Sequence, residues 1–112
     1  MRHRALTLAL ALTVCAVVAL PVLAAAPKLT GSVGPGYTIK MATKPTKRGK
    51  YALVVSDRSS SHNFHLRGPG VNVKTSVAKT GTKSFAITLT KGKYSFLCDA
   101  HPTSMRGSFT IK

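Results

Sequence analysis

Beyond residue 26 no stretch of the chain holds helical spacing over three turns. Short apolar-alternating runs follow one another instead, at roughly ten-residue intervals, each closed by Gly, Pro or Ser. Such runs bury their apolar side chains only by pairing, so the chain is expected to be all-β. Candidate strands are Leu29–Val33, Tyr37–Met41, Tyr51–Ser56, His62–Arg67, Val71–Lys74, Ser84–Leu89, Lys93–Cys98 and Gly107–Ile111. Seven to eight strands in so short a chain fit a two-sheet Greek-key β-sandwich better than a closed single-sheet barrel. Gly34-Pro35-Gly36 and Gly68-Pro69-Gly70 read as turns.

Two segments echo each other, Arg48-Gly49-Lys50-Tyr51 and Lys91-Gly92-Lys93-Tyr94, each a Gly turn feeding a strand through Lys-Tyr. The second has the form of a tyrosine corner, in which the hydroxyl bonds back to the backbone of the preceding turn, so Tyr94 is given a structural role.

The first 26 residues read as a secretory signal peptide. Met1-Arg2-His3-Arg4 is a basic start, Ala5–Leu20 an apolar core, and Ala24-Ala25-Ala26 a cleavage site. That core is shorter than the ~20 residues a spanning helix needs. Cleavage takes Cys15 away, leaves residues 27–112 as one domain without a stable membrane span, and predicts a periplasmic, extracellular or cell-envelope location. The full chain carries 17 Lys plus Arg against 2 Asp plus Glu, a formal charge of +15; losing Arg2 and Arg4 leaves +13, spread from Lys28 to Lys112. A surface so basic favours an acidic partner protein or an anionic envelope surface, and export argues against nucleic acid. A monomer is expected. With only Asp57 and Asp99, chemistry that needs paired carboxylates is disfavoured, and no Gly-rich phosphate-cradling loop is present.

The mature chain keeps a single cysteine, Cys98, and an exported lone thiol needs a reason. Its neighbours supply one. Cys98-Asp99-Ala100-His101-Pro102-Thr103-Ser104-Met105 gathers thiolate, imidazole and thioether into one short segment after the strand Tyr94-Ser95-Phe96-Leu97. A soft thiolate selects copper, zinc or iron–sulfur, and two His, one Cys and a weak axial Met are the donor set of electron-transfer copper sites. The segment lacks one His. His62 and His65 compete for that place in Ser61-His62-Asn63-Phe64-His65-Leu66-Arg67. Strand alternation groups His62 with Phe64 and Leu66 on the core side, and puts Asn63, His65 and Arg67 on a polar face expected to meet solvent. His62 is therefore preferred and His65 read as a surface histidine.

These residues resemble the cupredoxins, the type 1 blue-copper proteins such as plastocyanin, azurin, amicyanin and pseudoazurin. His62-Asn63-Phe64 is similar to their first-ligand strand, and Tyr94-x-Phe96-x-Cys98-x-x-His101-x-x-x-Met105-x-Gly107 to their C-terminal ligand loop. The resemblance implies one copper ion held by His62, Cys98, His101 and axial Met105, with His101 nearest the surface. It also implies that Asn63 ties its strand to the ligand loop by hydrogen bonds. Many members carry Pro immediately before the loop His; here Ala100 keeps its N–H, which is expected to add a second N–H···S bond to Cys98.

The function expected is electron transport by an exported blue-copper protein cycling Cu(II)/Cu(I), with its basic surface steering an acidic redox partner protein, not an enzyme. A copper carrier or buffer using the same ligands is the alternative. A Cys98 nucleophile with His101 as base is a weaker reading, since Asp99 is the one carboxylate nearby and Met105 would have no part in it.

Overall fold

A computed structural model of the chain describes residues 9, 11–17 and 25–112. The signal-peptide reading lies largely outside the described residues, of which Cys15 is exposed. No helix among the described residues is long and apolar enough to cross a membrane.

The chain is all-β, as expected, with eight strands: β1 Lys28–Val33, β2 Ile39–Met41, β3 Gly49–Asp57, β4 His65–Gly68, β5 Val71–Lys74, β6 Gly81–Leu89, β7 Gly92–Cys98 and β8 His101–Ile111. They form two four-stranded sheets, ordered β2-β1-β3-β6 and β5-β4-β7-β8. β1 runs parallel to β3 and every other neighbour is antiparallel. The chain crosses between sheets after β3, β5 and β6, so β3 pairs with β6 and β4 with β7, the non-sequential pairing of a Greek key.

Alternation along each strand builds the core. Leu53 and Val55 of β3, Ile87 and Leu89 of β6, Tyr94 and Phe96 of β7, and Phe109 and Ile111 of β8 fill one cluster between the sheets. Its centre is an aromatic pair pressed between two glycines. Phe64 and Phe96 stack with centroids 5.6 Å apart and planes 6° apart. A Cβ on Gly31 of β1 would stand 2.9 Å from the Phe64 ring, and one on Gly107 of β8 would overlap Phe96. Backbone and ring can approach so closely only where Cβ is missing.

Both echoing corners form. The Tyr94 hydroxyl accepts from Thr90 N at 3.0 Å and lies 3.1 Å from Thr90 O and 3.2 Å from Pro69 O. Four residues upstream of Tyr51, Lys47 O accepts its hydroxyl at 2.7 Å.

Of the strand boundaries that depart from expectation, two matter for function. The strand expected from His62 begins only at His65, because His62–Phe64 leave the ladder and turn inward. The last strand starts at His101 instead of Gly107, so Asp99-Ala100 is a two-residue turn with Cys98 and His101 paired across it. Between that pair and Leu97↔Arg106 the register shifts, and the extra residues of β8 bulge out. Pro102 is tolerated there because β8 is an edge strand.

Candidate metal centre

β7 delivers Cys98 to one end of the sandwich on the same face as Tyr94 and Phe96, fully buried and with no disulfide partner. The tight turn then brings His101 back beside it, and the inward-turned segment before β4 supplies His62 from the other side. His62 Nδ1 and His101 Nδ1 lie 3.1 Å apart, and Cys98 Sγ is 3.7 Å from the first and 3.9 Å from the second. A point equidistant from these three atoms is about 2.1 Å from each, the bond length of a first-row metal to imidazole and slightly under that to thiolate. The donor set therefore fits one soft or borderline transition-metal ion without rearrangement. Among the described residues it is the cluster of His, Cys, Asp or Glu whose ligand atoms all converge, within 4.8 Å of one another.

Met105 is buried, on the inward face of β8 with Phe109 and Ile111. Its successor Arg106 pairs with Leu97, which puts Met105 at the Cys98 end of the sheet. Of the two imidazoles His62 is buried and His101 half-buried, so His101 is the one nearer solvent.

His65 is not a surface residue. It is 7% exposed although it opens β4 on the face opposite Leu66, because the side chains of Asp99 and Asn72 meet it there, and all five residues His62–Leu66 are buried. Its Nδ1 donates to Asp99 Oδ1 at 2.7 Å, and Nε2 lies 2.5 Å from Asn72 Oδ1. His65 thus faces away from the three converging ligand atoms and braces the turn between Cys98 and His101.

Asn63 makes the tie expected of it. Nδ2 donates to Asp99 Oδ2 at 2.8 Å and to Thr75 O at 3.2 Å; Oδ1 accepts from Asp99 N at 2.8 Å. Its backbone N–H points at Cys98 Sγ, 3.4 Å away, a donor suited to a thiolate. The second N–H···S bond is absent: the Asp99-Ala100 turn does not aim the Ala100 amide at the sulfur, and Asn63 is the one backbone donor to it among the described residues.

Three supporting residues went unread in the sequence. Asp57, buried at the end of β3, accepts from Thr75 Oγ1 at 2.9 Å and Ser59 N at 3.1 Å. Thr75 in turn accepts from Phe64 N at 2.9 Å, pinning the non-ladder segment across both sheets. Asp99 enters the sequence analysis as half of an unlikely carboxylate pair and as the one carboxylate near Cys98 and His101, and its place directly after Cys98 is the signal of its supporting role. Burial pushes its pKa up, but hydrogen bonds from His65 and Asn63 and the electrostatic pull of His65 and Lys74 outweigh that and hold the carboxyl below its usual range. No buried side-chain N or O among the described residues lacks a partner.

No family model matches the chain, and no curated protein sequence does. Solved structures do. Auracyanin A, a "blue" copper protein from the green thermophilic photosynthetic bacterium Chloroflexus aurantiacus, superposes with TM-score 0.57 at 14% identity, over 79% of this chain and all of that one. Rusticyanin from Thiobacillus ferrooxidans gives 0.55 at 16%, over 76% of each chain. An oxidised amicyanin variant gives 0.54 at 17%, over 75% of this chain and 81% of the other. At such identities the likeness speaks for the backbone, and with the strand order above it establishes that the chain has the cupredoxin fold.

Proposed function

We propose that the protein is an exported one-electron carrier that holds a single type 1 copper ion through His62, Cys98, His101 and an axial Met105. The observation that carries this reading is the convergence of two imidazole nitrogens and one thiol on a point about 2.1 Å from each, at one end of a cupredoxin-fold sandwich. Copper bound there supplies reversible Cu(II)/Cu(I) exchange. The chain's own residues keep the ligands still while it happens. Cys98 is fixed by the Asn63 N–H and by β7, His101 by its pairing across a two-residue turn, and His62 by the Asn63–Asp99 and Phe64–Thr75–Asp57 bonds of the two residues that follow it. Ligands that need not move between oxidation states keep reorganisation small. Electrons would pass through His101, the more exposed imidazole, to an acidic partner drawn by the basic surface. No substrate is turned over.

The test is a copper titration of residues 27–112, which contain all eight strands, followed by the visible spectrum with a Cys98→Ser control. An intense blue thiolate-to-copper band, absent in the control and bleached reversibly by reductant, is the expected result. Copper binding without that band, together with transfer of Cu(I) to an apo-acceptor, would replace the electron carrier by a copper carrier or buffer. Failure to bind copper would overturn both.

A further inference from the structure

Tyr37 is the most exposed large apolar side chain of the sandwich among the described residues, 70% open to solvent, and it does not stand free. Its ring centroid is 4.9 Å from that of His62 and 5.0 Å from that of His101, tilted at 56° to the first and edge-on at 81° to the second. The two imidazoles are themselves 4.7 Å apart. Three rings therefore make a near-equilateral triangle, with two members turning their Nδ1 atoms toward Cys98 and the third covering them from outside.

The covering ring comes from the β1–β2 connection, an element that contributes no candidate ligand. Gly34 and Gly36, both at positive φ, let the chain fold tightly there. Gly34 N–H donates to Thr38 O at 2.8 Å and Thr38 Oγ1 to Pro35 O at 2.9 Å, which closes the loop on itself. At its base Arg58 N–H donates to Val33 O at 2.9 Å. Nothing in that arrangement needs an aromatic residue for the core, since the outer side of the Tyr37 ring faces water. Its contacts are with the two imidazoles.

We infer that Tyr37 is a positioning residue that gates metal passage: its ring blocks the outward swing of His101 that entry or exit of a soft transition-metal ion requires. This rests on the reading of His62, Cys98 and His101 as ligands. His62 is buried in a segment pinned by the hydrogen bonds of Asn63 and Phe64, whereas His101 sits at the start of an edge strand, half-buried, with Tyr37 edge-on against it. A gate raises the barrier for both directions of travel, so its removal speeds uptake and release together.

The experiment uses the full chain, wild type and the Y37A and Y37F variants, loaded with cobalt(II), whose thiolate band reports the site without redox change. Uptake is followed on mixing with cobalt, and release on mixing with excess EDTA. Loss of two aromatic contacts is expected to quicken both rates about tenfold in Y37A, while Y37F, which keeps the ring, stays within about twofold of wild type. Band position and apo-protein melting temperature should be alike in all three. Faster release with unchanged uptake would mean the ring only stabilises the bound state and overturns the gate, as would unchanged rates in Y37A or Y37F rates as fast as those of Y37A. Cobalt binding without a blue copper derivative would sink the electron-transfer proposal and leave the gate standing; no thiolate band with either metal overturns both.

Discussion

Asn63→Ala isolates how much the ligand frame depends on one side chain. Asn63 is 1% exposed and makes three side-chain hydrogen bonds, two with Asp99 and one with Thr75 O. The bonds to Thr75 O and from Asp99 N are neutral and contribute about 1 kcal/mol each. The bond to Asp99 Oδ2 is charge-assisted, worth about 1.5–3 kcal/mol when buried. The Asp99 side chain is 38% exposed, so water replaces part of that bond and the low end applies. The sum is about 3.5 kcal/mol, a large part of the 5–15 kcal/mol typical of a small domain. For a domain of this size that lowers Tm by roughly 14–28 °C. Thermal and guanidinium unfolding of the apo-protein would measure it. Asn63→Asp supplies the control: nearly isosteric, it sets an acceptor against Asp99 Oδ2 where a donor was. It should be at least as destabilising as Ala at pH 7 and recover as the medium is acidified and one carboxylate takes a proton. Since the N–H donated to Cys98 Sγ belongs to the backbone, Asn63→Ala should still bind copper. An Asn63→Ala protein within 1 kcal/mol of wild type would refute the idea that this side chain holds the ligand segments together.

Asp99 should make stability fall in acid. Its folded-state pKa lies below the ordinary 3.8, so its contribution is complete above that pH and lost as pH drops below it; Asp99→Asn should flatten the pH dependence of the apo-protein's Tm in that window. Gly107→Ala would push a methyl into Phe96, and Gly31→Ala would crowd Phe64, so each should cost about 1–3 kcal/mol by denaturant unfolding, Gly107→Ala the more. Tyr94→Phe should cost about 1–2 kcal/mol through the lost corner bonds while leaving the copper spectrum unchanged, because the corner lies at the opposite end of β7 from Cys98. Ala100→Pro should leave both folding and spectrum close to wild type, since the amide it removes donates to no acceptor outside the strands.

Period-two patterning made the sandwich legible: β5 begins and ends where alternation put it, and β1, β6 and β7 differ by one to three residues. The failures lie where the chain stops being a strand to serve the site. Alternation applied through His62–Arg67 selected the His that does converge with Cys98 and His101, yet it sent Asn63 and His65 to solvent when both are buried. His62–Phe64 leave the ladder and are buried together, so alternation assigns His62 and Phe64 rightly and misses Asn63, while His65 is covered by Asp99 and Asn72. Short-range spacing placed Cys98 and His101 together because a tight turn is a local event. Thr75 and Tyr37 meet the site only through tertiary contact, 11 and 25 residues from Phe64 and His62, and nothing in their neighbourhoods announces it.

The chain has two carboxylate side chains, and both are consumed by bracing: Asp57 is buried against Thr75, and Asp99 is held by His65 and Asn63. Outside those two positions the exterior offers cations without acidic side chains to offset them. Two copies of the protein that collide thus meet like charge in nearly every orientation, and neither has a complementary side to turn toward the other. Encounters between copies should be rare in dilute buffer and grow as salt shortens the reach of the field to about 10 Å at 0.1 M. An acidic molecule meets the reverse conditions, fastest where salt is lowest. The internal use of two aspartates thereby biases the outside of the molecule toward traffic with strangers over traffic with itself.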